Sequence, residues 1–563
     1  MIPKLLLFIA GSTLAMSACK NNSSTTGEAR QDVLAANMDT TVSPGNDVFK
    51  YANGLWIKNN PIPAEQSSWG IGNLVIEENL KRLREISEKS ATATGAKGTP
   101  EQMIGDFWKT AMDSTKVDAD GLKPLQPLLD KVSTIHDTKS LVATVAELKM
   151  LGSSTLFSNF VTQDDKNSDV MTYKFFQGGL GLPEREYYFK TDSSTVNIRN
   201  EYVRYIAKML TLSGEDSAVA GAEAKKVMAL EMKLAQASRR IEDLRDPYKN
   251  YNKMAVTDLP KMAPGIDWNN FMSITKVKGL DSVIVGQPEF FKALDAALKT
   301  VPLDDWKAYV KFNVLSDFAP ALPEKFGVAA FNFTKLFSGA TVRKPRWKRV
   351  IQMEDNYMGE MLGQLYVKEF FNANAKKRYE DLVESIRGAL KDRISRLAWM
   401  SDSTKQKAYT KLAAVKKKVG YPDKWKDFSA MDIGSGSFVQ NIIGANSWWH
   451  QYEINKLGKP VDRDEWSMSP QTYNAYYNPS NNEIVLPAGI FTVPGYRDEE
   501  LDDAVVYGYA GASTIGHEIT HGFDDEGRQF DAKGNLVSWW TKKDEEEFNK
   551  RATVMVNQFN GYE

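Results

Sequence analysis

The sequence is poor in the side chains that staple or metallate many exported proteins. Its 563 residues include one cysteine and four histidines. A lone cysteine, Cys19, excludes an internal disulfide, so stability must come from a large core, which this length permits. The same scarcity removes cysteine-rich zinc sites and thiol-protease chemistry. A surplus of charge is missing too. Lys+Arg number 71 against 72 Asp+Glu, a formal net charge of −1, whereas a nucleic-acid binder carries a basic excess. The basic run Arg343-Lys344-Pro345-Arg346-Trp347-Lys348-Arg349 reads as a solvated or internally paired segment. Beyond the N-terminus no stretch holds 18 consecutive apolar residues, so no transmembrane helix is expected. With 42% hydrophobic and 25% charged residues, the remainder reads as a globular chain of two to four domains.

The N-terminus is a targeting segment. Lys4 precedes the apolar run from Leu5 to Ile9, continued through Ala15, and Met16-Ser17-Ala18-Cys19 follows. This is a positive region, a short apolar region and a small-residue cleavage site, too short for a permanent span. Cys19 directly after the small residues resembles a bacterial lipobox, which makes it the lipidated first residue of the mature chain. The alternative is an ordinary secretion signal with an incidental cysteine. Residues 20–39 are rich in Asn, Ser, Thr, Gly and Ala and read as a tether. Residues 90–100 read as a second loop. Three- and four-residue apolar spacing over 223–240 and 376–397 predicts helices, and strand-like sequence is concentrated at 482–486.

The chemistry is concentrated at His517-Glu518-Ile519-Thr520-His521. On a helix, positions i and i+4 share a face, so both imidazoles reach one metal ion. Glu518 then stands beside the open coordination positions, where a carboxylate takes a proton from bound water. The bland alternative is two surface histidines on a helix. A metzincin needs Gly and His three and six residues after the second histidine, and Asp524 and Gly527 stand there instead. The remaining large class completes the site with a glutamate from a following helix. Asp544, Glu545, Glu546 and Glu547 are downstream carboxylates, but such a run more often forms a solvated helix start.

Residues 517–525 (HEITHGFDD), with Gly527-Arg528-Gln529-Phe530-Asp531 and Trp539-Trp540-Thr541, resemble the M13 (neprilysin-like) zinc metallopeptidases. So do Asn474-Ala475-Tyr476-Tyr477, Leu486-Pro487-Ala488-Gly489-Ile490, Asn53-Gly54-Leu55-Trp56, residues 181–188 (GLPEREYY), Arg245-Asp246, Arg346-Trp347-Lys348-Arg349 and Gly420-Tyr421-Pro422. The resemblance runs from about residue 44 to the last residue.

It implies a mainly α, two-lobed fold in which a thermolysin-like catalytic lobe and a helical capping lobe enclose a substrate chamber. The corresponding divisions are a lipoprotein signal peptide at 1–18, a tether at 19–43, an N-terminal region at 44–425 and a catalytic region at 426–563. By motif match His517 and His521 are ligands of one zinc ion and Glu518 is the catalytic base. Asn474 and Ala475 hydrogen-bond the substrate main chain, as an edge strand does for an extended peptide. Asp524 or Asp525 orients His521, with an N–H-accepting structural role as the alternative. The family's third ligand is a glutamate in an E-N-x-A-D motif, which does not follow His521 here. The expectation is a C-terminally shortened chain whose third protein ligand lies beyond Glu563. The expected function is a zinc-dependent endopeptidase cleaving oligopeptides outside the cytoplasm by Glu-assisted attack of zinc-bound water. The chain is expected at the cell envelope, held to a membrane through lipidated Cys19, with no nucleic-acid partner. The alternative function is a peptide-binding lipoprotein with an incomplete, inactive metal site.

Overall fold

The computed structural model describes residues 33–562. Cys19 and the segment around it lie outside the described residues. The chain divides between Trp69 and Gly70 into two compact units. In the smaller, a short helix Val33–Asn37 falls inside the segment expected to be a tether. It is followed by the helix Val48–Asn59, whose first turn is capped by Asp47 accepting from the Lys50 N–H at 2.9 Å. Gly54 packs directly on Asp39, where a Cβ would clash.

The larger unit begins with a helical layer. Thr99 caps the helix Pro100–Met112, proline occupies its first turn, and Met103, Ile104, Phe107, Trp108 and Ala111 form a buried stripe. Gly105 lets this helix press onto the Ser90 carbonyl of the helix Ile71–Thr92. The helix Arg346–Phe370 packs on both. The basic run at its start is internally paired, as expected. Arg346 Nε donates to the Ala111 carbonyl at 2.7 Å, Lys348 meets Glu77 at 2.7 Å, and Arg343 meets Glu324.

Among the described residues seven strands form two sheets, more than the sequence suggested. The first sheet joins β1 (Ser158–Asp164), β2 (Asn167–Phe176), β3 (Lys253–Ala255) and β4 (Ser282–Val285) in the order β1-β2-β4-β3. β1 and β2 are an antiparallel hairpin, and β2 runs parallel to β4. Phe157, Phe175, Trp268, Phe271 and Phe291 cluster beneath, with the Phe175 and Trp268 rings 4.9 Å apart edge to face. The hairpin was hidden because polar residues interrupt both faces of β1 and β2, and its turn carries Asp and Lys. Helices surround this sheet to make one lobe.

The second lobe is built on β5 (Lys416–Gly420), β6 (Tyr476–Asn478) and β7 (Glu483–Pro487) in the order β5-β7-β6. β7 is buried throughout and lies between a parallel and an antiparallel neighbour. A buried ion pair, Lys418 Nζ to Glu483 at 2.7 Å, ties β5 to β7. β6 is an edge strand. The end of the β1–β2 hairpin reaches this lobe: Gln163 donates to Asn481 at 2.8 Å and the Ser168 hydroxyl to the Lys533 carbonyl at 2.7 Å. Among the described residues no helix is long and apolar enough to cross a membrane.

Candidate metal centre

His517 and His521 sit on the short helix Gly516–His521. The preceding residues, Tyr507–Ile515, wind as a π-helix, and the Gly516 N–H reaches back five residues to the Gly511 carbonyl. Such widened turns are rare and concentrate at functional sites. Ile515 and Ile519, both fully buried, anchor the inner face, and the opposite face presents His517 and Thr520 outward. The helix packs against the edge strand β6.

The two imidazoles converge. Nε2 of His517 lies 3.0 Å from Nε2 of His521, with the ring planes at 88°. Two nitrogens bound tetrahedrally to zinc at about 2.0–2.1 Å stand roughly 3.3 Å apart. The pair therefore fits two positions of one zinc ion within a few tenths of an ångström. His521 Nδ1–H donates to Asp524 Oδ2 at 2.7 Å, which leaves Nε2 as the lone-pair nitrogen. The other oxygen, Oδ1, accepts from the N–H groups of Glu526 and Gly527 at 3.0 and 2.8 Å. Asp524 thus performs both of the roles expected of it. Asp525 does not approach the histidine; it pairs with Arg245 at 3.0 Å, as does Glu526.

Glu518 lies between the histidines in sequence and is 7% exposed. Burial raises its carboxyl, against the lowering influence of His517 and His521. Asn474 is exposed just before β6, and its side-chain oxygen accepts the Ala475 N–H at 2.9 Å. Ala475 itself is buried.

The acidic run at 544–547 is not a ligand set, and its first member is not solvated. Asp544 is buried in the first turn of the helix Lys542–Phe559, accepting from the Ser401 N–H at 2.9 Å and from the hydroxyls of Thr404 and Thr541 at 2.6 and 2.7 Å. Burial alone would raise its carboxyl, but these bonds outweigh it and bring it down to about 2. Glu545 pairs with Arg528 at 3.0 Å. Among the described residues no group of three or more His, Cys, Asp or Glu gathers to hold a metal. His450 accompanies the Thr275 carbonyl at 2.9 Å and His136 the Thr134 carbonyl, so neither joins the site. A cavity of about 930 Å³ beside Gln440, Trp448 and Tyr452 contains none of the candidate residues.

Sequence reasoning missed Lys411. This lysine on the helix Asp402–Ala414 is 1% exposed, and its Nζ donates to the carbonyls of Gly527 and Phe530, each at 2.7 Å. Burial pushes its amine down to about 7, against the opposing pull of Asp531 and Asp524. Its only sequence signal is a lysine at an apolar position of an otherwise amphipathic pattern.

A histidine pair on one helical turn, a buried glutamate between them and an aspartate behind the second histidine define a metallopeptidase of the H-E-x-x-H class. Comparison with known proteins narrows this. Residues 44–422 and 474–563 match the two models of peptidase family M13. Neprilysin-3 of Drosophila melanogaster is 30% identical, over 95% of this chain and 71% of its own length. Human endothelin-converting enzyme 1 is 29% identical, over 94% and 70%. The zinc metalloprotease Zmp1 of Mycobacterium tuberculosis superposes with a TM-score of 0.89 at 34% identity, covering 94% of this chain and 80% of that one. PepO of Lactobacillus rhamnosis shares the fold, with a TM-score of 0.84 at 24% identity over 93% and 82%. The chain belongs to peptidase family M13, the neprilysin-like zinc metalloendopeptidases, and has that family's mainly helical, two-lobed fold.

Proposed function

We propose that the chain is a zinc-dependent endopeptidase that cleaves oligopeptides outside the cytoplasm. The observation that carries this reading is the convergence of His517 Nε2 and His521 Nε2 at 3.0 Å beside the buried Glu518. His517 and His521 are two of the zinc ligands. When bound, zinc supplies a Lewis acid that polarises the scissile carbonyl and acidifies water.

The chain's own residues supply the remaining work. Glu518 accepts a proton from the attacking water and passes it to the leaving amine; burial raises its carboxyl, which makes it a stronger base than an exposed glutamate. Asp524 keeps the proton of His521 on Nδ1 and the ring in place. The free edge of β6 gives an extended peptide backbone groups to pair with, and the exposed Asn474 side chain adds a donor and an acceptor at its end. Ala475 contributes through its carbonyl, because its N–H is already held by Asn474. Export and anchoring rest on Lys4 to Cys19, with Cys19 as the lipidated residue at the cell envelope.

The full-length protein, incubated with unstructured peptides and with a folded protein, should cleave the peptides alone. A zinc chelator should stop cleavage and added zinc restore it; peptide cleavage indifferent to chelation contradicts the proposal. A second reading, peptide binding without cleavage, is favoured by the presence of only two metal-binding side chains together among the described residues. Peptide binding with no zinc retained through dialysis would select it.

A further inference from the structure

Lys411 is buried where packing alone gives no reason for a lysine. Its Nζ stands 5.7–5.9 Å from the ring centres of Tyr477, Phe523 and Trp539, surroundings that a leucine or methionine would fill at less cost. What the amine does there is hold main chain. Gly527 is pinned at both ends: its N–H goes to Asp524 Oδ1 at 2.8 Å and its carbonyl accepts from Lys411 Nζ at 2.7 Å. Gly527 also lies so close under the His521 carbonyl that a Cβ there would overlap it. A continuous set of contacts therefore runs from Lys411 through Gly527 to Asp524, and from Asp524 Oδ2 to Nδ1 of His521.

The same lysine also reaches the edge strand. Its backbone carbonyl accepts from Asn482 Nδ2 at 3.1 Å, and Asn482 Oδ1 accepts from the Tyr477 hydroxyl on β6 at 2.8 Å. Asn482 is held at a positive φ of 48° in the turn between β6 and β7. Lys411 thus lies at the crossing of two segments, the turn after the histidine helix and the β6–β7 turn. Neither segment is close to it in sequence.

We infer that Lys411 is a positioning residue of the metal centre: its buried amine fixes the turn at 527–530, so that Asp524 holds the His521 ring with Nε2 bare, in register with β6. This rests on the proposal that His517 and His521 bind zinc, but the side-chain geometry is testable without metal.

The experiment compares wild type, K411M and K411R as full-length protein. Imidazole ¹⁵N shifts of the metal-free protein report the tautomer, and competition with a chelator reports zinc affinity. Among the four histidines of this sequence, His136 and His450 serve as internal references. In the wild type His521 should be one tautomer, protonated at Nδ1. In K411M that preference should be lost and zinc affinity should fall on the order of 10-fold, with the His136 signal unmoved and K411R restoring part of both. A K411M variant with a lowered melting temperature but wild-type tautomer and zinc affinity overturns the inference. Should K411M fail to fold, K411Q, which keeps a side-chain donor near the Gly527 and Phe530 carbonyls, replaces it: a weakened tautomer preference with lowered zinc affinity supports the inference, and wild-type values of both overturn it. Loss of the tautomer alone, in a protein that never bound zinc, would refute the functional proposal while leaving the positioning role intact.

Discussion

His521 and Asp524 are joined by a 2.7 Å hydrogen bond from Nδ1 to Oδ2 across a single turn of chain. The bond directs the free nitrogen of His521 towards His517, while the second oxygen of Asp524 organises the following turn. Removing the carboxylate therefore acts on the ligand before it acts on the fold. Asp524→Ala should weaken zinc binding by about 10–100-fold, measured against a chelator of known affinity. Unchanged affinity would show that the histidine needs no such support.

Gly527 should tolerate no side chain. Gly527→Ala places a Cβ against the His521 carbonyl, a backbone atom that cannot move aside cheaply. It should destabilise the protein by about 2–3 kcal/mol. Gly221, inside the helix Ser217–Ala237 with open space around its Cβ position, should behave oppositely. Gly221→Ala should stabilise by about 0.5–1 kcal/mol. Denaturant melts of the two variants give the contrast, and similar shifts in both would contradict it.

Asp544 is predicted to serve the fold and not the metal. Asp544→Ala leaves the Ser401 N–H and two threonine hydroxyls unpaired in a buried place, which should cost about 2 kcal/mol or more. Zinc stoichiometry should stay at the wild-type value. Because its folded carboxyl sits near 2, below the usual 3.8, its contribution is present above pH 4 and fades as pH falls towards 2. Loss of zinc in a folded Asp544→Ala protein would return it to the ligand set.

A different pH dependence comes from Glu354. It is fully buried on the helix Arg346–Phe370, with one oxygen held by Ser87 at 2.7 Å and the other lacking a hydrogen-bond partner among the described residues. Burial raises its carboxyl to about 8, against the lowering by Ser87 and helped by Asp355. The folded state thus keeps a proton that the unfolded state releases near 4.5, and stability contributed by neutral Glu354 is lost as pH rises towards 8. Glu354→Gln, which cannot ionise, should differ little from wild type at pH 5 and be the more stable of the two at pH 9. Parallel stability curves from pH 5 to 9 would contradict this.

Much of the site was legible because its chemistry is local. Four residues of spacing place His517 and His521 on one face, and no distant contact can undo that. The choice between Asp524 and Asp525 was not legible, since either lies within reach of His521. It is decided by Arg245, which draws Asp525 away from a point 280 residues earlier in the chain. Asp544 and Lys411 were opaque for the same reason. A charged residue on an amphipathic helix reads as solvated until tertiary structure places Ser401 over one and the 527–530 turn over the other. β7 was readable from its apolar run, whereas β1 and β2 owe their pairing to a core supplied by Trp268, Phe271 and Phe291, far along the sequence.

Glu518 is the residue on which the account stands. Glu518→Gln in the full-length protein keeps the shape and hydrogen-bonding capacity of the side chain but cannot accept the proton. Peptide turnover and bound zinc should be measured on the same preparation. Turnover should fall by about 10²–10⁴-fold or beyond detection, with zinc content equal to wild type. Retained peptide cleavage by the zinc-loaded Glu518→Gln protein would contradict the proposed mechanism.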